Sequence, residues 1–270
     1  MLQREIERSV MNESVIKTLV VALIVCLLCS LVVSSVAVSL RDAQNLNKLN
    51  DQRIKVLQAA GIYDDTKSIE EQFNSITSKL IDFENNAIVD SFGDIELSTY
   101  DPVEYSKKDG YFTPIAPNDD IAVIKNREKF GKIFILKDSE NNLSKVILPI
   151  RGYGLWGTLY GYISLSSDLN TIEGLEFYEH KETPGLGGEV DNQKWKNMWV
   201  GKKIYGLKND VQFQVIKGSV DNESQLAIYQ VDGLSGATIT SRGVTNMIAY
   251  WFGENGYKEV LGNLKNVNKT

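Results

Sequence analysis

The stretch Lys132-Ile133-Phe134-Ile135-Leu136-Lys137-Asp138-Ser139-Glu140-Asn141-Asn142-Leu143-Ser144-Lys145-Val146-Ile147-Leu148-Pro149-Ile150 decides the fold class. Its flanks, Lys132–Lys137 and Lys145–Ile150, are short β-rich runs, and the polar residues Asp138 to Asn142 between them form a hairpin signal. A second pair follows, Thr158–Ser166 and Thr171–Tyr178, around Ser167-Asp168-Leu169-Asn170. Val211–Val220 reads as a further strand, with Val211, Phe213 and Val215 on one face. Two helices interrupt the strands. Asn192–Val200 sets Trp195 and Trp199 one turn apart, and Ser241–Phe252 puts Val244, Ile248 and Trp251 on one face. The spacing therefore predicts an α+β domain with mostly antiparallel strands.

Toward the N-terminus the pattern changes. Ser68-Ile69-Glu70-Glu71 has the form of a capping box. Ile69, Phe73, Ile76, Leu80 and Phe83 follow at 4-3-4-3 spacing, which predicts an amphipathic helix packing on the sheet. The segment Asp90–Asp120, with Pro102, Gly110, Pro114 and Pro117, reads as a polar excursion. Leu46, Leu49, Arg53 and Val56/Leu57 form a weak helical stripe. Ahead of it, the 23 residues from Thr18 to Leu40 carry no formal charge. As a helix they span roughly 34 Å, enough for a hydrocarbon core of ~30 Å. The run is longer than the h-region of a cleaved signal peptide, although Ala37-Val38-Ser39 offers small residues to a peptidase, and an uncleaved anchor is expected. Arg4, Arg8 and Lys17 precede the span while Arg41, Lys48, Arg53 and Lys55 follow it, so charge does not choose the side. Cys26 and Cys29 share one helix face and read as packing residues. The expected organisation is a tail over 1–17, a transmembrane helix over 18–40, a helical and irregular part over 41–120, and an α+β domain over 121–270.

Composition narrows the function. A balance of 29 basic against 35 acidic residues, net −6, offers no concentrated basic face for nucleic acid. A single histidine, His180, excludes His-clustered metal sites, and no cysteine lies outside the apolar run. No metal ligands are assigned.

Three segments could carry chemistry. Asp232-Gly233-Leu234-Ser235-Gly236-Ala237-Thr238-Ile239-Thr240-Ser241 puts small residues and four hydroxyls just before an amphipathic helix. A helix start there suits a phosphate, or is an ordinary start capped by Thr240 or Ser241. Glu182-Thr183-Pro184-Gly185-Leu186-Gly187-Gly188-Glu189 fits neither dinucleotide nor P-loop glycine spacing and is otherwise a flexible turn. Gly152-Tyr153-Gly154-Leu155-Trp156-Gly157 sets aromatics among glycines, as an irregular strand start or as a wall for a flat ring.

Together with the anchor ending in Leu40-Arg41-Asp42, with Lys145 to Pro149 and with Trp199-Val200-Gly201-Lys202-Lys203, these segments resemble the NqrC family of the sodium-translocating NADH:quinone reductases. The resemblance covers nearly the whole chain. It implies a membrane-anchored FMN-binding domain whose FMN is joined through its phosphate to a threonine, here Thr238, with Thr240 as the alternative. It also implies Ser235, Gly236 and Ala237 as positioning residues, and Gly154, Leu155, Trp156 and Glu182, Thr183, Pro184, Gly185, Leu186 and Gly187 as cofactor contacts. The implied partners are the other subunits of the complex and a flavin transferase. The implied location is a bacterial inner membrane with the soluble domain on the extracytoplasmic side. Other flavin carriers share the threonine segment. The flavin-carrying subunit of Rnf-type ferredoxin-linked complexes and a non-catalytic FMN-binding membrane sensor are thus the alternatives.

Overall fold

The computed structural model describes residues 2–93 and 95–267, which divide into two compact units, 1–50 and 51–270. The first unit is helical. It is the greater part of α1 (Leu2–Ala59), which runs through Thr18–Leu40 without a break, every side chain of that run exposed. Among the described residues this is the one helix long and apolar enough to cross a membrane. Two of its serines turn inward: Ser30 donates to the carbonyl of Cys26 at 2.6 Å and Ser35 to that of Leu31 at 2.7 Å, so no hydroxyl proton of either is left for lipid. Cys26 and Cys29 are free thiols on its surface.

The second unit begins in the last turns of α1. It continues through α2 (Ile69–Phe73), β1 (Ile76–Asp82), β2 (Ala87–Val89), α3 (Pro102–Tyr105), β3 (Phe112–Pro114), β4 (Asn126–Glu128), β5 (Phe130–Lys137) and β6 (Leu143–Tyr153). There follow β7 (Thr158–Ser166), β8 (Ile172–Glu179), α4 (Gln193–Asn197), β9 (Gln214–Val215), β10 (Gln230–Val231), α5 (Thr238–Trp251) and α6 (Lys258–Val267). Six strands form one sheet in the order β2-β1-β5-β6-β7-β8, and every neighbouring pair is antiparallel.

The two expected hairpins are β5–β6 and β7–β8. Each turn is held by an aspartate acting locally. Asp138 accepts the amides of Glu140 and Asn142, both at 2.9 Å, while Asn141 takes a left-handed φ of 66°. Asp168 accepts the amides of Asn170 and Thr171. Partial burial pushes its carboxyl up, but hydrogen bonds from Thr171 and Ser166 outweigh that and hold it at about 2.

The sheet is covered on both faces, which is why β6 reads as a continuous apolar run. Val146, Leu148 and Ile150 face the core closed by α5, where Val244, Met247, Ile248 and Trp251 are buried. Ile147, between them, faces the opposite core with Phe134, Tyr162 and the helix residues Val56, Leu57, Ala59 and Ala60. Each such side chain, fully buried, stabilises the fold by about 1.5–3 kcal/mol.

Four expectations need correction. The helix over Ile69–Phe83 is only α2, Ile69–Phe73; Ser68 does cap it by accepting the amide of Glu71, but the chain then enters β1. A spacing of four belongs to both periods, so Ile76 and Leu80 fit a strand face equally well, while Ile81 and Phe83 point to the other side. Val211–Val220 contains only the two-residue β9, paired in parallel with β10, and Val211 makes an isolated bridge to Tyr205. The Trp195 helix ends at Asn197, before Trp199. The last helix named in the sequence starts at Thr238 rather than Ser241.

Candidate functional site

That earlier start decides the site's character. Thr238 is the first residue of α5, Ala237 is its N-cap, and no side chain caps the amides of the first turn. An uncapped helix start presents donors and the positive dipole end outward. The expected caps are engaged elsewhere. Ser241 is buried and its Oγ accepts the amide of Leu234 at 3.0 Å. Thr240 is fully buried and its Oγ1 donates to Oε2 of Glu182. Thr238 is exposed.

Two glycines place α5 where it is. A Cβ on Gly243 would meet the carbonyl oxygen of Tyr153 at 2.3 Å, and one on Gly152 would meet Cβ of Met247 at 2.7 Å. The helix therefore lies almost backbone to backbone on the end of β6, which carries straight into Gly154-Leu155-Trp156.

Glu182 joins the three segments. Its Oε1 accepts the amides of Leu155 at 3.0 Å and Trp156 at 2.9 Å, while its Oε2 takes the Thr240 hydroxyl. The carboxylate is buried, 5% exposed, and so it is held by three donors that keep it satisfied away from water. Gly154 and Gly187 close around it: a Cβ on either would stand 2.6 Å or 2.5 Å from a Glu182 oxygen. His180 steadies the approach, its Nδ1 accepting the amide of Glu182 and its Nε2–H donating to Asp191 at 2.8 Å. Beyond Glu182 the loop turns tightly, with the amides of Leu186 and Gly188 both on the carbonyl of Thr183. Thr183, Pro184, Gly185 and Leu186 are exposed. Leu186 lies over Gly236, whose φ is +70°; a Cβ there would be 2.9 Å from the leucine Cδ2.

The structure thus brings Gly154, Glu182, Gly187 and Thr240 into one buried junction, ties the backbone amides of Leu155 and Trp156 to it, and sets Leu186 on the threonine segment. Ala237 is in the core, while Ser235 and Gly236 are exposed. Five large side chains of these segments stay in solvent: Tyr153, Leu155, Trp156, Leu186 and Ile239, with Trp156 62% exposed.

Sequence reasoning missed a cleft of about 290 Å³ beside Thr238. Val215 to Gly218 form one wall, and Thr238, Ser241, Arg242 and Thr245 form another. The second wall was within reach, because those four residues occupy positions i, i+3, i+4 and i+7 of one helix face once the helix begins at Thr238. Lys217, from a distant loop, leaves no such trace.

Residues 154–253 match the FMN-binding domain family, a segment that starts at Gly154 of the junction and ends just past α5. The NqrC protein of the Na(+)-translocating NADH-quinone reductase from Pseudomonas aeruginosa is 44% identical to the chain, across 94% of it and 97% of the relative. The chain belongs to the NqrC family of these reductases. The Vibrio alginolyticus member of the family is 37% identical, over 94% of the chain and 96% of its own length. The fold agrees: the crystal structure of Shewanella oneidensis NqrC superposes with a TM-score of 0.74 at 31% identity, covering 82% of this chain and 99% of that one. As a member of the NqrC family the chain carries an FMN-binding domain behind an apolar N-terminal helix.

Proposed function

We propose that the chain is the FMN-carrying subunit of a sodium-translocating NADH-quinone reductase and that its flavin is covalently attached through the phosphate to Oγ1 of Thr238. The observation that carries this reading is the contrast between two hydroxyls in one helical turn. Thr240 is buried and donates to Glu182, whereas Thr238 is exposed on an uncapped helix start beside a cleft. The residues fit the group. A phosphoryl oxygen would find the free first-turn amides of α5, and a flat ring would find the exposed Leu155, Trp156, Leu186 and Ile239.

When bound, the isoalloxazine supplies the electron-carrying chemistry. The chain's own residues hold and screen it. Glu182 fixes the backbone of Leu155 and Trp156 from behind, and Leu186 packs over Gly236 of the threonine segment. No general acid or base is needed for that task.

Attachment is different. None of the ten residues lining the cleft is a carboxylate or an imidazole, so Thr238 has no base of its own. A flavin transferase is the partner that fits. In the transfer, Oγ1 of Thr238 bonds to the phosphorus of an activated flavin phosphoanhydride. The anhydride P–O bond breaks, the nucleotide leaves with that oxygen, and the hydroxyl proton passes to a base of the transferase. The other partners are the remaining subunits of the reductase, and the domain stands on the extracytoplasmic face of a bacterial inner membrane.

Expression with a flavin transferase, followed by peptide mass mapping, tests the attachment. The FMN mass is expected on the Thr238 peptide, to vanish in Thr238→Ala and to persist in Thr240→Ala. Flavin retained by Thr238→Ala overturns the reading, and protection of the domain from protease added outside spheroplasts overturns the sidedness.

A further inference from the structure

Most buried or half-buried cations of the second unit have a named partner. Lys196 and Lys55 meet Glu176, Arg151 meets Glu128, and Lys145 meets Glu173. Lys217 and Arg242 lie outside that set. Both are exposed, both line the cleft beside Thr238, and among the described residues neither has a hydrogen-bond or ion-pair partner. The other polar groups of the cleft are committed: the Ser241 hydroxyl to the amide of Leu234, and the Thr245 hydroxyl to the amide of Val215 and the carbonyl of Ser241. What remains is one free hydroxyl, Thr238, in the same cleft as two unpaired cations, with no carboxylate among the lining residues of a chain whose net charge is −6.

We infer that Lys217 and Arg242 form a two-sided cationic clamp on the phosphoryl group at Thr238, and that this clamp makes the unmodified site select a phosphorylated flavin over an unphosphorylated one. The inference rests on the Thr238 reading and adds to it the residues that recognise the anion. Arg242 lies one turn beyond Thr238 on the same helix face, so its guanidinium can return along the helix with paired donors. Lys217 joins it from the Val215–Gly218 segment of the same cleft as a point charge on a flexible stem. An ester-linked phosphate keeps its negative charge throughout the physiological range, so the clamp acts both before and after attachment. During transfer it offsets the negative charge that builds on the phosphoryl oxygens, a task that preorganised cations perform without rearrangement.

The test uses the detergent-solubilised full chain made without flavin transferase, titrated separately with FMN and with riboflavin. The wild-type chain is expected to bind FMN about fivefold more tightly than riboflavin, two exposed charge contacts being worth that much. The preference should shrink as salt is raised. In the Lys217→Gln/Arg242→Gln double variant it should fall to parity and lose its salt dependence, with thermal unfolding unchanged, and Arg242→Lys should restore part of it. A salt-dependent FMN preference that survives in the double variant overturns the clamp. So does a wild-type chain with no measurable preference, including one that binds neither flavin. If Thr238→Ala abolishes covalent flavin while the double variant keeps the wild-type preference, the clamp alone fails. If Thr238→Ala keeps its covalent flavin, the attachment reading fails and the clamp falls with it.

Discussion

Glu176 near the end of β8 and Glu182 just beyond it are both buried, yet the fold surrounds them with different partners. Glu176 is neutralised by cations: Lys196 places its Nζ 2.7 Å from both carboxylate oxygens and Lys55 adds a contact at 3.2 Å. That cluster belongs to architecture, tying the end of α1 and α4 to the sheet. Among the described residues Glu182 meets no cation within ion-pair distance, and it is held by two amides and a hydroxyl. Dipoles rather than opposite charges satisfy it, so the buried acid sits directly behind the exposed side chains of Leu155 and Trp156. Where cations close on a buried acid, the result is a clasp; where backbone dipoles do, the acid can align separate segments of chain and leave their other faces free.

Removing the acid from each place should separate the two roles. Glu176→Ala leaves Lys196, only 7% exposed, buried without a counter-charge, and the expected loss is about 3–5 kcal/mol. Thermal or denaturant unfolding should show it, with FMN still attached in the fraction that folds. Glu182→Ala strands neutral donors instead, for a smaller loss of about 1–3 kcal/mol. Its signature should be a changed flavin spectrum and slower attachment at Thr238, because Leu155, Trp156 and Thr240 are no longer held to a common point. Equal stability losses with an unaltered flavin in both variants would dissolve the distinction. The smallest effect on stability is expected from Leu186→Glu, within about 0.5 kcal/mol because the side chain is already exposed. Absorption and potentiometric titration of that variant should nevertheless shift through the altered polarity beside the ring, and an unchanged spectrum and potential would make the loop purely structural.

The parts of the molecule that could be read in advance are those whose cause is local. Asp138 and Asp168 make their turns within four residues, so both hairpins were legible. A helix just after the threonine segment was legible through the amphipathic run there, and α5 begins at Thr238. The helix expected over Ile69–Phe83 failed because β1 is covered on both sides and its apolar residues therefore mimic a helical period. The strand expected over Val211–Val220 failed because little of it finds a partner edge. Glu182 was expected among the cofactor contacts, but its inward role depends on Leu155, Trp156 and Thr240, which lie 27, 26 and 58 residues away. No periodicity encodes such a meeting, and the same holds for Lys217 in one cleft with Arg242.

The helices of the domain also differ in how they begin. Ser68, Asp101 and Asn192 each accept amides at the start of their own helices, α2, α3 and α4. For α5 no side chain among the described residues is such an acceptor. On the proposed attachment, the missing oxygen arrives with the prosthetic group, installed by another enzyme after the polypeptide has folded. Maturation then completes a piece of secondary structure as well as a redox centre, and the unfinished helix end is the mark that tells an immature protein from a finished one.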